Sequence, residues 1–134
     1  MSTPTKPGSP FMIHCGIQIT ERREYFAECR MTVKEELHNT VGMLHGGALA
    51  TLADCAGAVS TWDVMGPNEI AVTTDFNLTC LKTTYSGDRL IATGTLIHRG
   101  RRFMRSQVEI RKDDENHTLV ATAGVSLMVV EKKR

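Results

Sequence analysis

Asp54 has the setting in this chain that most needs a chemical reason. Its neighbours are Leu52, Ala53, Cys55, Ala56 and Ala58, and a carboxylate among apolar residues is costly unless something engages it. Aspartate is a poor helix former, yet the run that carries it reads as a helix. A carboxylate so placed could activate a water or attack an electrophile directly. The plainer alternative is a helix carboxylate bonded to a neighbouring segment or to solvent. Upstream stand His45, Gly46 and Gly47. The first N–H groups of a helix have no intrahelical partner and lie at the positive end of its dipole. Two glycines there would let a ligand carbonyl approach, and the N–H groups could stabilise an oxyanion in acyl transfer. A tight N-terminal turn would use the same glycines, and His45 could equally be a structural histidine bonded to backbone. Asn39 could hold a water or a carbonyl oxygen, or form a local turn.

These groups need elements to hold them. Gly46 and Gly47 open a helix with small or apolar residues on every face, so other parts of the protein should surround it. It should end around residues 62–66, where Gly66-Pro67 breaks the pattern. Residues 25–33 alternate as a half-buried strand, with Tyr25, Ala27, Cys29, Met31 and Val33 on one face. Residues 34–44 read as a loop with a short helical turn. After Asn68 the period becomes two, and strands are expected over 70–81, 89–98, 103–112 and 119–130. Links such as Ser86-Gly87-Asp88 and Arg99-Gly100-Arg101 suggest that these four form a meander. Thr73 and Asp75 should then share one face of the first of them, with Thr74 opposite; Thr73 could bond Asp54, or be a surface threonine. The economical packing is α+β: one long helix wrapped by a curved antiparallel sheet. Residues 11–23 show no clean period, and 1–23 read as a flexible or irregular lead-in to one domain over 24–134.

Composition narrows the chemistry. With 134 residues, 41% of them hydrophobic and 23% charged, the chain suits a single globular domain. A net charge of +1 and 5% aromatics give no support for nucleic acid. Cys15, Cys29, Cys55 and Cys80 are far apart and lack metal-ligand spacing, which fits reduced thiols in a cytosol-like compartment. Residues 44–64 are long enough to span a bilayer but carry Asp54 and Asp63, so a buried helix is expected rather than membrane insertion. Arg99, Arg101 and Arg102 around Gly100 could meet phosphate, or form a solvated hairpin tip. No dinucleotide, P-loop, zincin or serine-hydrolase motif is present.

Asn39, His45-Gly46-Gly47 and Asp54, followed by a strand with Thr73 and Asp75-Phe76-Asn77, resemble the hotdog-fold acyl-CoA thioesterases, most of all the PaaI-like branch. The resemblance covers about residues 39–130. It implies a hydrolase that splits an acyl-CoA thioester, within fatty-acid metabolism, and needs no metal or cofactor beyond the CoA of its substrate. Asp54 would be general base or nucleophile, the Gly46 N–H would polarise the carbonyl beside His45, and Asn39 would position water or carbonyl. Thr73 falls where close relatives carry a supporting serine. Gly47 and the Arg99–Arg102 turn, including Gly100, would meet the substrate, the arginines at the CoA nucleotide. The active site would cross a homodimer interface, with two dimers forming a homotetramer. A cytoplasmic location is implied and a mitochondrial one stays open, although residues 1–23 make a poor transit peptide. A non-catalytic acyl-CoA-binding module is the alternative, and a hydratase or dehydratase a further one.

Overall fold

The computed structural model describes residues 8–132. A short helix α1 (Pro10–Cys15) leads into strands β1 (Gln18–Arg23) and β2 (Phe26–Thr32), then the long helix α2 (Gly46–Val59). Four strands follow: β3 (Glu69–Cys80), β4 (Arg89–Arg99), β5 (Phe103–Lys112) and β6 (Leu119–Glu131). They form one antiparallel sheet in the order β1-β2-β4-β5-β6-β3. The α+β plan of a helix wrapped by a sheet is what the sequence predicts. No helix among the described residues is long and apolar enough to cross a membrane.

Small residues let α2 sink into the sheet. Leu49, Leu52, Ala53, Ala56 and Val59 are buried against Ala27, Cys29, Val108, Val125 and Leu127. At Gly94 on β4, a Cβ would stand 2.4 Å from the Ala56 carbonyl oxygen, and at Gly57 it would stand 2.8 Å from Val125. α2 stops at Val59, earlier than expected. The Ser60 hydroxyl donates to Gly57 O and that of Thr61 to Ala58 O; these local bonds compete with further helix. A 3-10 turn at Trp62–Val64 completes the descent.

The lead-in is more ordered than the sequence suggests. Ser9 caps α1 by accepting from Met12 N–H, Pro10 occupies its first turn, and Gly16 ends it at φ 75°. β1 adds a strand beside β2, so the sheet begins at Gln18 and not after residue 23. Neither element shows a period because each has six residues, and a register shift between Ile19 and Glu21 breaks the alternation of β1. Of the flexible or irregular lead-in expected over residues 1–23, positions 1–7 lie outside the described residues. Tyr25 stands at φ 67° in the two-residue β1–β2 turn, so β2 starts at Phe26.

The last four strands are not a simple meander. β3 pairs with β6 and never with β4. Residues 81–88 carry the chain across the molecule: Leu81 and Lys82 N–H groups donate to Val120 O, and Thr84 O accepts from Leu44 N–H. That crossover braces the loop before α2.

Gly94→Ala should destabilise the protein by about 3 kcal/mol, because its methyl meets backbone rather than a movable side chain. Chemical denaturation of the purified variant measures this; an unchanged midpoint would mean that the helix is not seated there.

Candidate active site

The loop before α2 is set by Asn39. Its Oδ1 accepts from the Val41 and Met43 N–H groups, both at 3.0 Å, and its own N–H donates to Met43 O at 2.7 Å. Two amide donors fix which side-chain atom is oxygen. The Nδ2 group, with no partner among the described residues, is therefore the donor left for a water or carbonyl oxygen. Asn39 thus forms the local turn that the sequence allows and keeps an amide donor free of the described residues.

His45 is the N-cap of α2, its Nδ1 accepting from Gly47 N–H at 2.8 Å. The two glycines then separate in role. A Cβ at Gly47 would lie 3.0 Å from His45 Nδ1, whereas one at Gly46 would meet nothing within 4 Å. Gly47 makes room for the imidazole and spends its N–H on it. Gly46 is exposed, and its N–H has no hydrogen bond to any described residue. It is the donor available to a ligand, at the positive end of the helix.

Asp54 sits farther along α2, half-buried. Thr73 donates its hydroxyl to Asp54 Oδ1 at 2.7 Å, which joins two residues the sequence places near each other only by inference. A β-bulge between Thr73 and Asp75 arranges this. Thr73 lies opposite Leu127, which is wholly buried on the helix side of the sheet, whereas Asp75 lies opposite Ser126. The expected sharing of one face by Thr73 and Asp75 is therefore overturned, since an extra residue resets the alternation. Asp54 Oδ2 has no partner among the described residues, and Asp54 lines a cleft of about 310 Å³ together with Phe11, Met12, Thr51, Val59 and Trp62. That cleft is missing from the sequence reading. Thr51, Asp54, Cys55, Ala58 and Trp62 do follow helical spacing, which could have signalled one face.

The arginine turn divides. Arg99 donates to Gly100 O, to Val64 O and to Glu69 Oε1, the last at 3.2 Å. Its guanidinium holds the end of β3 to the turn, so it does not belong with the phosphate-seeking groups. Gly100 closes the turn by donating to Phe103 O, and a Cβ there would meet that oxygen at 3.0 Å. Arg101 and Arg102 are exposed.

A carboxylate with one oxygen held and one open, together with an unused amide donor, suits acyl-transfer chemistry. The family model described as Thioesterase superfamily matches residues 41–118, more than half of the chain. The chain belongs to the thioesterase superfamily. A 1,4-dihydroxy-2-naphthoyl-CoA hydrolase of Listeria monocytogenes is 29% identical over 89% of this chain and 94% of its own. The E. coli PaaI protein from the phenylacetic acid degradation operon superposes with a TM-score of 0.83 at 27% identity, covering 91% of this chain and 85% of that one. A thioesterase of Haemophilus influenzae gives 0.83 at 27%, over 92% and 85%. The fold is the hotdog fold, of the PaaI-like kind, and this thioesterase is a thioester hydrolase.

Cys55 adjoins Asp54, which raises the question of a thiol nucleophile. Burial first, then the Asp54 carboxylate and Cys15, push its thiol up to about 12. Burial, with Cys55 and Glu28, does the same to Cys29, also to about 12. A protonated thiol is a poor nucleophile, so Cys55 offers no thiolate beside Asp54 at neutral pH. These shifts also bear on stability. The folded values lie above the ordinary 9.0, so the contribution is complete below pH 9 and is lost as pH rises towards 12. Each thiol should add up to about 1.4 kcal/mol per pH unit to that decline. Urea denaturation across the range should show a shallower slope for Cys29→Ala/Cys55→Ala than for the wild type; parallel slopes would mean the thiols ionise alike in both states.

Proposed function

We propose that the thioesterase hydrolyses an acyl-CoA to the free acid and CoA, with Asp54 of one copy and the Gly46 N–H of a second acting on one carbonyl. The spacing along α2 carries this reading. Gly46 and Asp54 are both on that helix, separated by a rise of about 12 Å, whereas a carbonyl bond is about 1.2 Å long. One thioester cannot meet both groups of the same chain. A two-fold related copy supplies each with the other's partner, and isologous contact makes two identical sites. The edges of the sheet support such a pairing. β1 is short, irregular and carries Glu21, Arg22 and Arg23, which is how exposed edges are protected. β3 is an unpaired edge of 12 residues with Ile70, Val72 and Phe76 exposed.

In the reaction, Asp54 Oδ2 takes a proton from water as the water oxygen bonds the carbonyl carbon. The π electrons move to the carbonyl oxygen, where the Gly46 N–H and the Asn39 Nδ2 group stabilise them. Collapse breaks the C–S bond, and the leaving sulfur takes the proton from Asp54. Direct attack by Oδ2, giving a mixed anhydride that water then opens, uses the same geometry. Thr73 orients the carboxylate in either case. This chemistry requires no metal and no added cofactor. Arg101 and Arg102, exposed at their turn, fit the phosphates of the CoA nucleotide. The exposed cross-strand row Val72–Met128–Phe103 on the outer face of the sheet supports association of dimers into a homotetramer.

Gly46→Pro removes the proposed donor while suiting the first position of a helix, where proline is favoured. It should lower kcat by about 10²–10³, and Asp54→Asn should lower it at least as far. Refolded together, the two inactive chains should regain about a quarter of wild-type thiol release, because half of the dimers are mixed and each holds one intact site. No recovery from the mixture, with dimers confirmed by light scattering, would place the whole site within one chain.

A further inference from the structure

The start of β4 collects positive charge that the acyl chemistry does not use. Arg30 lies on β2 opposite Gln18 of β1, and Arg89 opens β4 opposite Thr32 of β2. Lys34 follows β2 in extended backbone. With Asp113, which follows β5, these residues line a cleft of about 460 Å³, a size that suits a small molecule. It shares no lining residue with the cleft at Asp54. We infer that this cleft is a second ligand site, which takes the phosphate end of a small molecule carrying a di- or triphosphate.

Charge balance carries the assignment. The lining holds three cations and one carboxylate. Asp113 Oδ2 serves both arginines, 3.2 Å from Arg30 Nη1 and 3.6 Å from Arg89 Nε. Arg30 Nε pairs with Glu28, which lies outside the lining. Lys34 Nζ meets only the His14 carbonyl oxygen among the described residues, at 3.1 Å. Elsewhere arginines have a carboxylate each: Arg22 has Asp63, Arg99 has Glu69 and Arg111 has Glu109. Here positive charge is left over, and so are donors. Arg30 Nη2 and Arg89 Nη1 have no partner among the described residues. Guanidinium edges and an ammonium suit phosphate oxygens, and Gln18 and Thr32 add neutral donors.

The spread of the cations sets the length of the anion. Four residues separate Arg30 from Lys34, about 13 Å of extended chain, and Arg89 stands opposite Thr32, midway between them. A single phosphate is too small to meet all three, whereas two or three linked phosphoryl groups are not. No aromatic side chain lines the cleft, so base stacking is not on offer and recognition rests on the phosphates. The side chains of Arg30, Arg89 and Asp113 are 42%, 67% and 34% exposed. Exposed pairs of this kind hold weakly, so a polyanion competes with Asp113 for both guanidinium groups.

Isothermal titration calorimetry of the full chain at low salt, with inorganic pyrophosphate and tripolyphosphate as probes, tests this. Each should bind saturably, more weakly as salt rises. Arg30→Gln/Arg89→Gln should weaken binding at least about tenfold, and Arg101→Gln/Arg102→Gln should leave it unchanged. If the first of these variants loses its cooperative unfolding transition, Lys34→Gln should weaken binding about threefold or more. Asp113→Asn separates a ligand site from a merely structural ion-pair network. It removes the competing carboxylate, so pyrophosphate should bind about threefold more tightly or better. Titrations with ATP and CoA then identify the source of the phosphates. ATP binding lost in Arg30→Gln/Arg89→Gln marks a free nucleotide as the occupant. CoA binding lost there but kept in Arg101→Gln/Arg102→Gln marks the nucleotide end of CoA. No saturable pyrophosphate binding, equal binding by wild type and Arg30→Gln/Arg89→Gln, or no tightening in Asp113→Asn would overturn the assignment.

Discussion

The backbone of α2 lies so close to β4 that a single added carbon at position 94 would meet the Ala56 carbonyl oxygen at 2.4 Å. That approach sets the rest of the molecule. It is possible only where α2 presents Ala53, Ala56 and Gly57 to the sheet and the sheet answers with Gly94 and Ala27. A larger residue at any of these points would lift the helix, and Thr73 would then no longer stand 2.7 Å from Asp54. The precision of the site is thus a packing property, because rigid elements in close contact hold polar groups better than loops do.

Asp54 lies at the border between the part of α2 covered by the sheet and the part facing the cleft. Wholly buried, it would bear the full cost of desolvation; on the free face, it would be a solvated carboxylate with ordinary reactivity. At the border, Thr73 holds one oxygen from the β3 side, the second has no partner among the described residues, and the residue lines the cleft. The bulge in β3 is what brings Thr73 there, an instance of a strand irregularity aiming a side chain at a helix carboxylate.

The helix and its polar groups were legible because they break local rules. An aspartate amid alanines makes sense only in terms of what it touches, so Asp54 stands out by itself, whereas Asn39, His45 and Gly46 gain weight only together with it, through the family resemblance. β4, β5 and β6 were legible from their period of two, each within a residue of its observed end. What stayed hidden depends on long-range pairing. Six-residue elements such as α1 and β1 carry too few side chains to show a period. The β3-to-β6 pairing is decided by where residues 81–88 find partners, on Leu44 and Val120, and not by their composition. Arg99 reads as one of a cationic group until Glu69, 30 residues away, claims it. Trp62 could not be assigned to the site without knowing that α1 folds back beside it.

His45 and the two glycines show how one turn of backbone is divided between structure and chemistry. Three N–H groups open α2 without ordinary helical partners. Ala48 donates to the His45 carbonyl and Gly47 to the His45 ring, leaving the Gly46 N–H alone without a partner among the described residues. Had the cap been serine or aspartate, its short side chain would reach the same amides but place no ring beside them. Imidazole instead satisfies one donor with Nδ1 and presents its Nε2 edge outward. The capping that stabilises the helix therefore selects which amide stays free. Gly46 and Asp54 are set about 12 Å apart along α2, so a carbonyl at that amide is one that Asp54 of its own chain cannot reach. Under the proposed two-fold arrangement, the separation that disables a lone chain is what gives each of the two sites a complete set.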